Sequence, residues 1–288
     1  MATMHKDHSA ATLPEGFEFS QGVLQDLVDC PRRFELQYVN AQPWPAVEVE
    51  PALEREVYNQ RGRQFHRLLE RYYTGVPVEA IETGLSVDQL RTWWNAFLRE
   101  PPLNLPQEVV LPEVRLATAL GGQRLVCVID LLAVDPGRRL VIVDWKTGRF
   151  RPSREAMAQR LQTRVYPFVT VEAAGRFFGS PVEPARVSMV YWFANFPDQP
   201  HVFHYDQAQH DQTRVYLESL LREAEDRLTS GAWEMTTDER LCSFCVYRSL
   251  CGRGVAAGRE TDERVIDLGD VEPDWESLRL EDVDEIAY

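Results

Sequence analysis

Asp130, Asp144 and Lys146 are the residues of this 288-residue chain whose types and spacing could do chemistry together. Asp130 and Asp144 each fall near the end of an apolar run, 124–134 (RLVCVIDLLAV) and 139–146 (RLVIVDWK), with Asp135-Pro136-Gly137 between them. Both runs read as strands, and strands joined by so short a turn pair antiparallel and bring such residues together. Two carboxylates at buried strand ends are costly alone and become reasonable when they share a divalent cation. Lys146 follows Asp144 by two residues, so both side chains leave the strand on one face. An ammonium there can hold or help deprotonate an attacking water and offset negative charge, which is metal-assisted hydrolysis.

The lysine is unusual for this chain. Of 31 basic residues two are lysine, Lys6 and Lys146, and Lys6 falls in an N-terminal stretch (1–16) that reads as flexible. Arginine carries a broad, permanently charged fork, whereas lysine offers a compact point charge whose pKa moves readily. One lysine where arginine is the habit points to chemistry that excludes arginine.

The elements that must position these residues can be read from periodicity. Ser20 could cap a helix through VLQDLVDC, and Pro31 could open another through RRFELQYV. A Pro-rich link follows at 41–51. Leu53–Tyr73 reads as a long amphipathic helix and Val87–Arg99 as another, a helical insertion over about 53–100. Three strands at 113–120, 124–134 and 139–146 form a meander, with Gly121-Gly122 at the first turn. A helix from Ser153 to Phe178, strands at 185–194 and 201–206, and a helix over 207–229 complete a mixed α/β core. There is no internal repeat.

Val-Ile-Asp130, then Ile-Val-Asp144-Trp-Lys146-Thr-Gly148, resembles the PD-(D/E)xK nuclease pattern, specifically its RecB-like branch with Cas4-like, AddB-like and Dna2-like members. Three further stretches are similar in the same order. Gly62-Arg-Gln-Phe-His66, followed by Glu70, resembles the branch's histidine-bearing helix. Gln162-x3-Tyr166 resembles the motif on the helix after the lysine strand. Cys30 with Cys242-x2-Cys245-x5-Cys251 resembles its iron–sulfur staple. The resemblance spans Ser20 to Gly252.

It implies a restriction-endonuclease-like core, a mixed central sheet flanked by helices, with an N-terminal helical region and a C-terminal Fe–S staple. The nuclease domain would cover 17–258 and its cluster segment 238–252. It implies that His66, Asp130, Asp144 and the backbone carbonyl of Trp145 hold Mg2+ or Mn2+, that Lys146 orients or activates water, and that Gln162 and Tyr166 line the site. Cysteine at 127, where the family often has glycine, departs from the pattern; Cys127 itself reads as core. Glu113 stands where an acidic residue is often found and is assigned no ligand role.

The expected activity is a metal-dependent deoxyribonuclease acting on single-stranded or frayed DNA, in repair, recombination or CRISPR adaptation. Trp145 and Tyr166 could stack on unpaired bases, and Arg32, Arg33, Arg149 and Arg151 could grip phosphates or be a solvated face. A noncatalytic nucleic-acid-binding subunit and a Cas4-like trimming factor acting in a complex are the alternatives. No Gly-x4-Gly-Lys-Ser/Thr motif is present, so unwinding would fall to a helicase partner.

The four cysteines suit either a [4Fe–4S] cluster or a zinc ion by spacing, and the resemblance implies the cluster. His201, His204 and His210 read as scatter. Net charge is −14, but residues 260–288 carry 12 acidic and 2 basic side chains, leaving a body that can hold a local basic groove. That acidic tail (259–288) could dock on a basic partner, shield a groove or merely solubilise. No apolar run suits a membrane span and no secretory signal is evident, so a cytoplasmic location is expected.

Overall fold

A computed structural model describes residues 12–43, 52–243 and 245–254. The acidic tail, the first eleven residues and most of the Pro-rich link lie outside the described residues. In chain order the elements are β1 (Glu18–Phe19), α1 (Gln21–Asp29), α2 (Pro31–Phe34, passing into a π turn at Glu35–Val39), α3 (Ala52–Tyr73), α4 (Val78–Thr83) and α5 (Asp88–Arg99). There follow β2 (Val109–Leu120), β3 (Gln123–Asp135), β4 (Arg139–Lys146), α6 (Arg154–Gln159), α7 (Leu161–Phe177), β5 (Val187–Phe193), β6 (His201–His204) and α8 (Gln207–Ser230).

Local chemistry accounts for several boundaries. Ser20 Oγ accepts the Val23 N–H at 3.2 Å, filling one of the orphan donors at the start of α1. Gly121 and Gly122 take φ of 56° and 80°, the pair of positive values a two-residue hairpin turn needs. The helix expected over 153–178 is two helices. Arg160 between them is extended (φ −66°, ψ 141°), and the Thr163 hydroxyl donates to the Met157 carbonyl at 2.6 Å where the helical ladder is interrupted. The short β1 and α4 were not anticipated.

The six strands form one mixed sheet in the order β1-β3-β4-β5-β6, with β2 also paired to β3. The β2–β3–β4 meander is antiparallel, and β5 runs parallel to β4. Helices cover both faces. Val23, Leu24 and Leu27 of α1, Leu161 and Val165 of α7, and Leu217 and Leu221 of α8 pack on one face in the first core. Phe65 and Leu69 of α3, Ile81 of α4, and Trp93, Trp94 and Phe97 of α5 cover the other. Each of these large side chains contributes about 1.5–3 kcal/mol by leaving water. The segment 52–99 therefore supplies the helical layer of the second core. Among the described residues, no helix is long and apolar enough to cross a membrane.

On the side of β3 away from β2, β4 pairs with Leu131–Asp135 and β1 with Arg124–Leu125. Asp130 sits between these stretches, at the point where β3 leaves the β4 ladder. It is thus in the middle of a long strand and not near its end, as the apolar run had suggested. The facing of β3 also changes phase here: Leu125, Cys127 and Ile129 face the same core as Leu132 and Val134.

Candidate active site

Asp130 and Glu113 occupy the phase change together. Pro112 pairs with Leu131 and Val114 with Ile129, which sets Glu113 opposite Asp130. Glu113 has φ 48°, a left-handed conformation rare for a residue with a side chain. Such backbone costs free energy and persists only where surrounding structure enforces it, most often at functional sites. A carboxylate oxygen of Glu113, one of Asp130 and a ring nitrogen of His66 lie within 4.8 Å of one another. Glu113, left without a ligand role by sequence reasoning, therefore joins the candidate metal centre. Its signal in the sequence was position alone, an acidic residue on the strand before Asp130.

His66 reaches this place from α3. Its neighbour Phe65 is buried against Trp93 and Trp192, which sets the helix on the sheet. Gly62, one turn earlier, lets the helix approach β4 closely: a Cβ at 62 would stand 2.7 Å from Thr147 Oγ1. Thr147 is buried and β-branched, so it has little room to turn away. The glycine four residues before the histidine thus has a packing reason.

The peptide of Trp145 is held at both ends. Its N–H donates to Asp130 Oδ2 at 2.7 Å, and its carbonyl accepts from His66 Nε2 at 2.9 Å. Because a carbonyl only accepts, Nε2 carries a hydrogen, and Nδ1 is left facing Asp130 Oδ1 at 3.5 Å. In the neutral ring that nitrogen is a lone pair beside two carboxylates, which is a ligand's disposition. Burial pushes the Asp130 carboxyl up. With the ring protonated, as it can be when no cation is bound, the charge and hydrogen bond of His66, the Trp145 N–H and Lys146 outweigh it and hold the group below the usual carboxylate range.

Asp144 is buried one strand over. Gln162, at the start of α7, donates its side-chain amide to Asp144 Oδ1. Lys146 Nζ lies 2.8 Å from Asp144 Oδ2 and 5.6 Å from the centroid of the Tyr191 ring. Tyr191 pairs in register with Asp144 on β5. Thr163 spends its hydrogen on Met157, so it accepts from the Tyr191 hydroxyl at 2.7 Å. Burial, and then the charge of Asp144, push that phenol well above its ordinary range, which keeps it a donor. Successive residues of α7, Gln162 and Thr163, thus bind adjacent strands, which fixes the helix start against the site. Tyr166, one turn on, is buried in the first core.

Other expected site residues are placed differently. Trp145 is 1% exposed, stacked on Tyr73 and edge-on to Trp192 in the second core, so its indole cannot reach a base. Arg33 is turned inward onto Asp26 and Asp29, both at 2.8 Å, and ties α2 to α1 instead of facing solvent. Arg32 pairs with Glu35. Arg151 donates to the Gln199 carbonyl at 2.7 Å and lies 3.0 Å from His201 Nδ1. Arg149 is exposed and sits 4.9 Å above the Tyr58 ring. His210 is occupied with Glu172 at 3.0 Å and Tyr205 at 3.2 Å. Cys127 is buried core, its thiol pushed far up by burial.

The start of α2 meets the segment that follows α8. Phe34 stacks on Trp233 at 5.6 Å, the Arg32 N–H donates to the Glu234 carbonyl, and the Thr236 N–H donates to Cys30 Sγ at 3.4 Å. Cys242, Cys245 and Cys251 each feel the charge of Cys30, with burial as the main influence raising all three thiols. None of the five cysteines is in a disulfide.

Hard carboxylate oxygens with one imidazole suit a hard divalent cation. His66, Glu113 and Asp130 offer such a donor set on a mixed sheet between two helical layers. Residues 18–252 match the family model of the PD-(D/E)XK nuclease superfamily, and the chain belongs to it. Members of that superfamily use divalent metals, and the His66–Glu113–Asp130 group is a fitting place for one. Among solved structures, a candidate exonuclease from Eubacterium rectale resembles the chain at 10% identity and TM-score 0.45, over 76% of this chain and 84% of that one. The protein SSO0001 does so at 12% identity and TM-score 0.37, over 83% and 87%. No curated protein matches.

Proposed function

We propose that the protein is a RecB-like deoxyribonuclease that hydrolyses phosphodiester bonds of single-stranded or frayed DNA with Mg2+ or Mn2+. The observation that carries this reading is the convergence of His66, Glu113 and Asp130 beside the Asp144–Lys146 ion pair. His66, Glu113 and Asp130 would hold the cation, with Asp144 beside them; the Trp145 carbonyl, expected as a further ligand, is instead taken by His66 Nε2, on the side of the ring away from Nδ1. When bound, the cation supplies charge neutralisation of the phosphate and a more acidic water. Lys146 holds the attacking water through an ammonium hydrogen and faces the negative charge that builds on phosphorus-bound oxygens. Gln162 keeps Asp144 turned toward Lys146. Arg149, resting on the exposed side of Tyr58, meets the strand's phosphate or an unpaired base. Duplex opening falls to a partner, a helicase or the CRISPR adaptation machinery.

The purified chain with Mg2+ or Mn2+ is expected to degrade labelled single-stranded DNA, and a chelator to stop it. Failure to cut single-stranded DNA, duplex DNA or RNA with either ion, from a folded preparation, would sink the reading.

The four cysteines form a [4Fe–4S] staple in this reading. Arg32, Arg33 and Arg253 lie near the thiols and lower their pKa values against burial, the surroundings an anionic cluster needs. Protein purified without oxygen is expected to be brown, and Cys30→Ser to bleach it and open 231–254 to protease. Colourless protein with one zinc per chain means a zinc staple instead, and a chain that keeps 231–254 protected with neither metal means no staple at all.

A further inference from the structure

Lys146 is followed at once by Thr147 and Gly148, and both carbonyls of that turn are gripped by one side chain. Asn195 Nδ2 lies 3.1 Å from the Thr147 carbonyl and 2.9 Å from the Gly148 carbonyl. The amide's orientation follows from its third partner. Trp93 Nε1 can only donate, and it meets Asn195 Oδ1 at 2.9 Å, so the NH2 group must face the carbonyls. Tyr58 adds a second donor: its hydroxyl donates to the Thr147 carbonyl at 2.7 Å and accepts from Asn195 at 3.1 Å. Asn195 is itself fixed in place, since the Ala194 N–H donates to the Lys146 carbonyl at 2.8 Å and extends the β4–β5 pairing to its doorstep. Tyr58 of α3 and Asn195, just past β5, thus converge on the two peptides that follow the lysine, and Trp93 of α5 holds Asn195 in place.

Asn195 is exposed, and its bonds to Tyr58 and the Gly148 carbonyl lie in reach of water, where hydrogen bonds contribute little to folding. The network also sets the direction in which the chain leaves Lys146, with Arg149 over the Tyr58 ring. We infer that Asn195 is a positioning residue, which with Tyr58 holds the Thr147–Gly148 turn so that the Lys146 ammonium stays on the reacting water and Arg149 on the strand. This rests on the nuclease reading above, and it predicts a defect in the chemical step with metal binding intact.

The test is Asn195→Asp, nearly isosteric, which sets a carboxylate oxygen against two carbonyl oxygens. Tyr58→Phe is the milder variant, since the Asn195 amide still serves Thr147. Lys146→Ala in the same assay reports on the underlying reading. A misplacement of the order of 1 Å costs about 100-fold in rate. The expected result is a fall in kcat of that size for Asn195→Asp and a smaller one for Tyr58→Phe. Mn2+ affinity, measured by calorimetry, and melting temperature should stay near wild type for both. The inference is overturned if Asn195→Asp keeps kcat within about twofold while Lys146→Ala is inactive, or if its loss tracks metal affinity or unfolding. If Lys146→Ala itself keeps full activity, the nuclease assignment of the site fails, and the inference with it.

Discussion

Lys146→Arg is expected to lower the rate of DNA cleavage by about 100-fold or more, the scale of losing a positioned proton-handling group, although the charge is conserved. The ammonium is nearly buried, 2.8 Å from Asp144 Oδ2 and against the face of Tyr191. That slot is shaped for a point charge. A guanidinium is planar, wider and longer, and forcing it in costs about 1–3 kcal/mol in overpacking. Its bidentate preference would also draw it onto both Asp144 oxygens and compete with Gln162, which holds Oδ1. A permanently charged fork cannot share a proton with water. The check is single-turnover cleavage at saturating Mg2+, with circular dichroism and metal affinity measured alongside. Activity within a few-fold of wild type would mean that the ammonium serves only as a structural counter-charge to Asp144.

Glu113→Gly is expected to separate stability from activity. The left-handed backbone at 113 costs a residue with a Cβ roughly 1–2 kcal/mol. Glycine returns roughly 0.5–1 kcal/mol of that through its freer unfolded chain. The change also removes a carboxylate from beside Asp130, easing like-charge repulsion when no cation is present. In metal-free buffer the variant should therefore melt at or above the wild-type temperature. With Mg2+ the order should reverse, because a cation bound to the native state at 100 times its Kd adds about 2.7 kcal/mol, and the variant has lost a ligand. Cleavage should fall about 100-fold or more, as for other losses of transition-state charge stabilisation. Glu113→Gln is the companion: it keeps the strain and loses the charge, so it should lose activity without the gain in metal-free melting temperature. A Glu113→Gly protein that binds Mg2+ and cuts like wild type would remove Glu113 from the metal centre.

Much of this fold could be read locally. The meander, its diglycine turn, β4 and the long α8 all came from apolar alternation, helical periodicity and turn chemistry, signals that need only near neighbours. The break at Arg160 was not readable in this way. Helical periodicity continues across 153–178, and what interrupts it is the docking of Gln162 and Thr163 onto strands far away in sequence. Trp145 misled for a different reason. A tryptophan beside candidate site residues reads as a stacking platform, although alternation along β4, itself a local signal, sends it to the opposite face, into the second core.

The residue types of the site belong to the sequence: Asp130 and an Asp-x-Lys on one strand face are recognisable because the strand period dictates which side chains project together, and the helical histidine and the following glutamine because their motifs resemble the family's. The tertiary structure alone decided how those parts meet. The shared phase change of β2 and β3 turns Glu113 to His66 and Asp130, and the departure of β3 from the β4 ladder lets Asp130 take the Trp145 N–H. Gly62 lets α3 close on Thr147, and Asn195 reaches across to hold the turn after Lys146. Each is a contact between residues distant in sequence, set by packing two helical layers on one twisted sheet, and no local period encodes it.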